Sequence, residues 1–166
     1  MRILGIDCGC ETTGFGVIDS DGRIHRFIAA GEIHTAAGAP LAGRLARIHQ
    51  GLSEILSRYR PDAVAVEAIF HAVNVRTALQ LAQARGVALL AAAQAGLPVS
   101  EYAPLLVKNS VVGYGRAGKH QVQTMVASLL GLAAPPGNED ACDALAVAIC
   151  HSTAGALKRK LAAGAR

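Results

Sequence analysis

The sequence has no long hydrophobic run and few charged residues. No uninterrupted apolar stretch exceeds the seven residues of 87–93, far fewer than the ~20 residues that cross a bilayer, so we expect no membrane helix. The first ten residues contain an acid and glycines where a signal peptide has a basic start and an apolar segment. With 52% apolar and 17% charged residues, the chain is too hydrophobic to be disordered. These absences together predict a cytoplasmic, folded protein.

The cysteines are few and poorly spaced for a structural zinc site. Cys8 and Cys10 are separated by one residue, whereas zinc-binding pairs usually have two to four between them. No matching CxxC or HxxxH pattern follows downstream. Cys142 and Cys150 fall in an apolar helical segment, where free cysteines usually act as small core residues. Neither zinc nor disulfides are therefore expected.

The order of patterns along the 166 residues predicts one α/β domain without internal repeats. Three strands in an antiparallel meander are followed by helices that alternate with two further strands, which gives a mixed five-stranded sheet flanked by helices. We expect the domain to cover residues 1–155 and residues 156–166 to form a basic, flexible tail. The predicted strands are 2–7, 15–18, 24–33, 63–67 and 99–102. The first predicted helix runs from about residue 41 to just before Pro61, and the others cover about residues 74–94, 104–112, 121–130 and 139–153.

Four acidic residues stand where such a fold would bring them together. Asp7 and Glu67 each end a predicted strand, while Asp140 and Asp143 are three residues apart and share one helix face. Taken singly, each acid could cap a helix, start a turn or form a salt bridge. Their joint placement favours a cluster of like charges that needs cations, and hard oxygen ligands suit Mg²⁺ or Mn²⁺. Two such ions can support phosphodiester hydrolysis.

A series of motifs, in order over about residues 1–155, resembles the RuvC family of bacterial Holliday junction resolvases. They are Ile3-Leu-Gly-Ile-Asp7-x-Gly9, Thr13-Gly-Phe-Gly-Val17, Val66-Glu67, Gln83-Ala-Arg-Gly86, Val111-Val-Gly113 with Lys119-x-Gln-Val122, and Asp140-Ala-Cys-Asp143-Ala-Leu-Ala146. The resemblance implies a ribonuclease H-like fold and a homodimer that cuts two opposed strands of a four-way DNA junction. In one departure, Cys8 stands where the family usually has proline, and Cys10 stands where a small hydroxyl residue is common. The two thiols raise the hypothesis of sensitivity to oxidation or soft metals.

The same resemblance assigns residues to roles. Asp7, Glu67, Asp140 and Asp143 would bind two Mg²⁺ ions, with Mn²⁺ as a substitute, and activate water. Lys119 and Lys108 would contact phosphates and transition-state charge. Phe70 would stack on bases near the junction point, and Arg76 and Arg116 are candidates for DNA backbone contacts. The RuvA–RuvB branch-migration complex is the implied partner, and the role is recombination and DNA repair.

Basic residues elsewhere and one long helix complete the prediction. We expect the arginines of the first helix, Arg44, Arg47, Arg58 and Arg60, to form a solvated face, whereas the Ala- and Gly-rich helix 74–94 is the candidate dimer interface. When the four site acids are left out of the count, the chain has 16 Lys and Arg against eight Asp and Glu. The net charge is then +8 rather than +4, which suits a DNA partner.

Three other functions share part of the pattern. A ribonuclease H for RNA–DNA hybrids would share the fold and the acids but would not need a symmetric dimer. A sugar-kinase- or actin-like ATPase would share the Asp7-x-Gly9 opening but needs two such domains. A junction-binding scaffold without catalysis would not need all four acids.

Overall fold

The strands of the computed structural model form a single mixed sheet. The structure describes residues 1–68 and 74–164, with side chains described up to residue 155. Within these residues five strands are present, in the spatial order β3-β2-β1-β4-β5. They are β1 (Arg2–Asp7), β2 (Thr12–Ser20), β3 (His25–His34), β4 (Ala63–Glu67) and β5 (Val99–Tyr102). β2 runs antiparallel to β1 and β3, whereas β4 is parallel to β1 and β5. The predicted sheet is thus confirmed.

Helices cover both faces of this sheet. They are α1 (Leu41–Tyr59), α2 (Val75–Gln94), α3 (Pro104–Val112), α4 (Lys119–Leu129) and α5 (Glu139–Gly164). One apolar core joins α3, α4 and α5 to the sheet, and includes Val107, Val126 and Leu145. A second core joins α1 and α2 to the opposite face, through Leu52 and Ala88 among others. None of the helices in the described ranges has the length and apolar content to cross a membrane.

The central helix α5 lies directly on the backbone of β1 and β2. A Cβ atom added at Gly5 would overlap the backbone carbonyl oxygen of Ala144, and one at Gly14 would overlap that of Asp140. A Cβ at Gly16 would come within 2.6 Å of Leu145 Cγ. Only glycine allows helix and sheet to approach this closely. We call this contact line the glycine seam.

The boundaries of several elements follow the sequence pattern closely, while others differ. β1, β4, β5 and α3 have the predicted limits. The prediction for α5 is wrong at its end, because the helix continues past Thr153 to Gly164. An alanine-rich segment favours helix there despite Gly155. α4 begins at Lys119, two residues earlier than predicted, since Gly118 and Gln121 form a capping interaction in which the Gly118 N–H donates to Gln121 Oε1 at 2.9 Å.

The prediction that Arg44 belongs to a solvated helix face is also wrong. Its side chain is 7% exposed, because the first turn of α1 packs against the loop between β1 and β2. The Arg44 Nε donates to the carbonyl oxygen of Cys10 at 3.3 Å and to Thr35 Oγ1 at 3.2 Å. Arg44 therefore fixes the loop that follows Asp7, rather than facing solvent.

Candidate active site

Two of the predicted carboxylates lie side by side at the carboxyl ends of two strands. Ile6 pairs with Val66 in the parallel β1–β4 ladder, and Asp7 and Glu67 are the next residue of each strand. Alternation along β1 places Asp7 on the same face as Ile3, which belongs to the core under α5. β1 and β4 are therefore neighbours, and both acids, at the carboxyl ends of these strands, face the same helix layer.

The first turn of α5 supplies the other two carboxylates. Asp140 and Asp143 are half-buried on one side of this turn, while Leu145, Val147 and Ile149 are almost completely buried and hold the helix in place. The helix starts after Asn138, whose carbonyl oxygen accepts the N–H of Cys142 at 3.1 Å. Because Gly14 pairs with Asp7 across β1 and β2 and touches the backbone of Asp140, the glycine seam brings the two pairs of acids together.

The pKa of Asp7 shows how strongly these acids interact. Burial, and then the charges of Glu67, Asp143 and Asp140, raises the pKa of Asp7 to about 7, whereas Lys119 lowers it. A carboxyl group shifted so far by burial and like charges is typical of a functional site. Asp7 is therefore the centre of the acidic cluster.

The other three acids shift in the same direction. Burial raises the pKa of Glu67, with a further increase from Asp143 and a decrease from Lys108. Burial likewise raises the pKa of Asp143, whereas Lys119 and Lys108 oppose this change and Asp140 adds to it. For Asp140, burial and then Glu32 raise the pKa, while Lys119 and His34 lower it. The four acids and the two predicted lysines thus form one electrostatic unit.

The two lysines approach the acids from different helices. Lys108 lies in the middle of α3 and is half-buried. Lys119 is the first residue of α4, and its side chain, 69% exposed, pairs with the carboxylate of Glu139. Helix N-termini attract phosphate groups through their free backbone N–H groups. Lys119 thus stands at a helix start, and Glu139 holds its ammonium group beside the acidic cluster.

The donor set suits a hard divalent cation. Asp7, Glu67, Asp140 and Asp143 offer only carboxylate oxygens, the ligands that Mg²⁺ and Mn²⁺ prefer. Among the described residues, however, no three acidic, histidine or cysteine side chains are already grouped closely enough to hold an ion. The chemistry of the residues fits a metal. Burial and neighbouring carboxylates raise the pKa values of these acids, and a bound cation would stabilise their charged forms.

Other predicted site residues lie around this cluster or outside the described residues. Arg76 is exposed in the first turn of α2, and Arg116 is exposed in the loop between α3 and α4. Phe70 falls outside the described residues. Arg85, a candidate for DNA backbone contact on the same grounds as Arg76 and Arg116, pairs with Glu101. The role of each of these residues stays a prediction.

The thiols near Asp7 differ from reactive cysteines. Burial, and then the charge of Asp7, raises the pKa of Cys8 to about 12, so the thiol stays protonated at neutral pH. Cys10 is buried and its thiol donates to the backbone oxygen of Gln80 at 3.2 Å. Because the thiolate is the reactive form, this environment does not favour the hypothesis of easy oxidation.

Sequence reasoning missed one buried acid near the site. Glu32 on β3 pairs with Gly14 on β2, and its side chain is 8% exposed. The alternation along residues 24–33 is irregular because of a register shift between Val17 and Ile18 in the β2–β3 ladder. This irregularity hid which face Glu32 occupies.

Comparisons with known proteins agree with this geometry. The family model described as "Crossover junction endodeoxyribonuclease RuvC" matches residues 3–151. The RuvC protein of Koribacter versatilis is 52% identical over 152 residues, which are 91% of this chain and 92% of the relative. The RuvC protein of Chloroflexus aggregans is 53% identical over 160 residues, covering 96% of this chain and 98% of the relative.

A solved structure also resembles the chain closely. Thermus thermophilus RuvC in complex with a Holliday junction substrate superposes with a TM-score of 0.90 at 36% identity, covering 95% of this chain and 96% of the other. The mixed sheet and its helix layers are therefore the ribonuclease H-like fold that the sequence motifs predicted.

Proposed function

The chain belongs to the RuvC family of crossover junction endodeoxyribonucleases, and we propose that it resolves four-way DNA junctions by hydrolysing phosphodiester bonds in two opposed strands. The observation that carries the proposal is the convergence of Asp7, Glu67, Asp140 and Asp143 at the end of the two central strands, where burial and the charges of neighbouring carboxylates raise the pKa of all four. The proposed role in the cell is DNA recombination and repair.

We assign the four carboxylates to two Mg²⁺ ions, for which Mn²⁺ can substitute. When bound, the ions would polarise the attacking water and neutralise charge on the leaving oxygen. Asp7 and Glu67 would hold them from the sheet, and Asp140 and Asp143 from α5. Since the side chains are not already grouped for an ion, rotation of side chains on a fixed backbone would complete the ligand set.

The lysines are assigned to the DNA strand being cut. Lys119 and Lys108 lie close enough to the acids to lower the pKa of Asp143, so either ammonium group can reach a phosphate bound beside that acid. There they would orient the phosphate and stabilise negative charge in the transition state. Lys119 would exchange its pairing with Glu139 for the phosphate. Arg76, Arg116 and Phe70 would bind DNA further from the scissile bond.

The proposal predicts selective cleavage of branched DNA. With Mg²⁺, the protein should introduce paired, symmetric nicks into a synthetic four-way junction and leave a linear duplex and an RNA–DNA hybrid uncut. Denaturing gels of end-labelled strands measure the products, and removal of divalent cations with EDTA should abolish them. Cleavage of the hybrid alone would show a ribonuclease H activity and would refute the proposal.

We further propose that two copies of the chain pair through α2. One side of this helix is buried through Ala84, Ala88, Ala91 and Ala92, but the other side exposes apolar residues. Val75 is 76%, Leu79 60% and Leu90 51% exposed, and a groove of about 570 Å³ adjoins the first two. Exposed apolar surface of this kind marks protein interfaces, and a two-fold pair would supply one active site for each opposed strand.

A charged substitution on α2 should separate the two copies. We expect Leu79→Glu to weaken the dimer about 30-fold or more, since central interface residues contribute about 2 kcal/mol or more. Sedimentation equilibrium measures this change. Leu105→Glu is the matched control, because Leu105 on α3 is exposed to a similar extent, 61%. If both variants keep the wild-type dimer, or if the wild type is a monomer, α2 is not the interface.

The remaining parts of the proposal concern cellular context. A protein that resolves junctions must act where the chromosome is, which agrees with the predicted cytoplasmic location. The RuvA–RuvB branch-migration complex is the partner we propose, because it would present the junction to the nuclease.

A further inference from the structure

A further buried carboxylate, that of Glu32 on β3, lies next to the predicted metal ligands. The carboxylate of Glu32 accepts a hydrogen bond from Asn138 Nδ2 at 2.9 Å and lies 3.0 Å from His34 Nε2. Its side chain is 8% exposed, whereas that of His34 is 66% exposed. A buried carboxylate is stable only when its oxygens have partners. Both partners meet the same oxygen, Oε2, and the one from Asn138 links Glu32 to the residue that precedes α5.

The position of Glu32 relates it directly to the active site. Glu32 pairs with Gly14 on β2, and Gly14 pairs with Asp7 on β1, so the three residues form one row across the sheet. Residues directly opposite each other on neighbouring strands point to the same face. Glu32 therefore lies on the α5 side, and its charge is close enough to raise the pKa of Asp140.

Asn138 connects this row to α5. The backbone carbonyl of Asn138 accepts the N–H of Cys142 and so begins the helix, while its side chain donates to Glu32. Asn138 is exposed and is preceded by a Pro-Pro-Gly sequence. The Glu32–Asn138 hydrogen bond thus ties the first turn of α5 to β3, two residues before Asp140.

We propose that Glu32 is a positioning residue, which holds the first turn of α5 so that the Asp140 carboxylate faces Asp7 across the glycine seam. This inference rests on the proposed function of the site. Glu32 acts through Asn138 and does not itself ligate the ion. Glu32 would thus act like the residues outside a ligand set that hold metal ligands in place. Removal of such a residue costs about 10- to 100-fold in metal affinity or activity.

The test compares variants that remove or keep the hydrogen bond. Binding of Mn²⁺ without DNA is followed by the electron paramagnetic resonance of the free ion, and single-turnover junction cleavage is measured alongside. Glu32→Ala should weaken Mn²⁺ binding and slow cleavage by about tenfold or more. Glu32→Gln keeps an oxygen acceptor for Asn138 and should remain within about threefold of the wild type, which separates positioning from charge. Affinity for the junction should change little in either variant.

A double-mutant cycle identifies the hydrogen bond itself. Asn138→Ala should reproduce the effect of Glu32→Ala, and the double variant should be no weaker than either single one, because both remove the same contact. Glu54→Gln is the control, since it changes an exposed carboxylate on α1, which packs on the opposite face of the sheet, and it should behave like the wild type. If Glu32→Ala does not fold, Asn138→Ala alone carries the test, because Asn138 is exposed.

The outcomes are distinct. Mn²⁺ affinity in Glu32→Ala or Asn138→Ala that equals that of the wild type would overturn the inference, as would effects that add in the double variant. A wild-type protein that binds Mn²⁺ but does not cut junctions would refute the proposed function, while the Mn²⁺ measurements would still decide the role of Glu32.

Discussion

Asp7→Asn should bind a four-way junction like the wild type but cut it at least about 10³-fold more slowly, because the loss of a central metal ligand removes about 4 kcal/mol of transition-state stabilisation. Asp7 interacts with all three other acids of the site. A neighbouring carboxylate could therefore replace Asp7 as a metal ligand only by leaving its own position in the ligand set. Single-turnover cleavage and gel-shift binding measure the two properties separately. Normal cleavage by this variant would show that the acids are not the metal site.

The same substitution should stabilise the metal-free protein. The pKa of Asp7 is raised from 3.8 to about 7 by burial and like charges, so between these pH values the folded state binds more protons than the unfolded state. The free energy of unfolding of the wild type therefore falls as pH rises from about 4 to about 7. The free energy of unfolding of Asp7→Asn does not fall in this way. At pH 8 in EDTA the variant should therefore be more stable than the wild type by about 2 kcal/mol, which corresponds to a Tm about 4–8 °C higher.

A charge-matched variant separates this local effect from net charge. Glu54→Gln removes one negative charge from an exposed position on α1, far from the acidic cluster, and should leave both stability and cleavage unchanged. If Asp7→Asn has the wild-type Tm at pH 8, or if its advantage is as large at pH 4 as at pH 8, the burial of the ionised Asp7 carboxylate among like charges is not the cause.

Gly5→Ala should destabilise the protein by about 3 kcal/mol or more and abolish cleavage. The new Cβ would overlap the backbone oxygen of Ala144, and it would lie 2.8 Å from Ala148 N. Backbone atoms cannot rotate away as a side chain can, so α5 must shift off the sheet as a whole. Overpacking of a core typically costs about 1–3 kcal/mol, and more where the backbone has to move. Urea denaturation measures the loss.

The loss of activity in this variant has a separate cause from the loss of stability. A displaced α5 carries Asp140 and Asp143 away from Asp7, so the folded fraction should also be inactive. Gly43→Ala on α1 is the control, because a Cβ there meets nothing within 4 Å, and alanine should stabilise that helix by about 0.5–1 kcal/mol. A Gly5→Ala protein within about 0.5 kcal/mol of the wild type would contradict the close packing of the seam.

Much of the fold could be predicted from periodicity and from breaks in it. The buried strand 63–67 ends in an acid after four apolar residues. β5 lies between Pro98 and Pro104, and α3 begins at Pro104 and ends before Gly113, so their limits were clear. The end of α5 was predicted too early, because Gly155 suggests a helix end that the surrounding alanines override. Local propensity decides such ends only weakly.

The site was predictable in outline for a different reason. Asp7 and Glu67 end neighbouring strands, and Asp140 and Asp143 share a helix face, so sequence position alone indicated a cluster. Arg44 and Glu32 were not predictable in this way. The burial of each depends on a partner distant in sequence, the Cys10 carbonyl for Arg44 and Asn138 for Glu32, and a single charged residue carries no signal of such a partner.

The glycine seam also decides how the site responds to change elsewhere in the molecule. Because main-chain atoms, rather than interlocking side chains, set the distance between α5 and the sheet at Gly5 and Gly14, the spacing of the carboxylates does not depend on which apolar residues fill the surrounding core. The apolar core residues under α3 and α4 can therefore be substituted, with changes in thermal stability, while the spacing of the four carboxylates stays constant. The seam itself has no such freedom, and a larger residue there should lower both stability and activity.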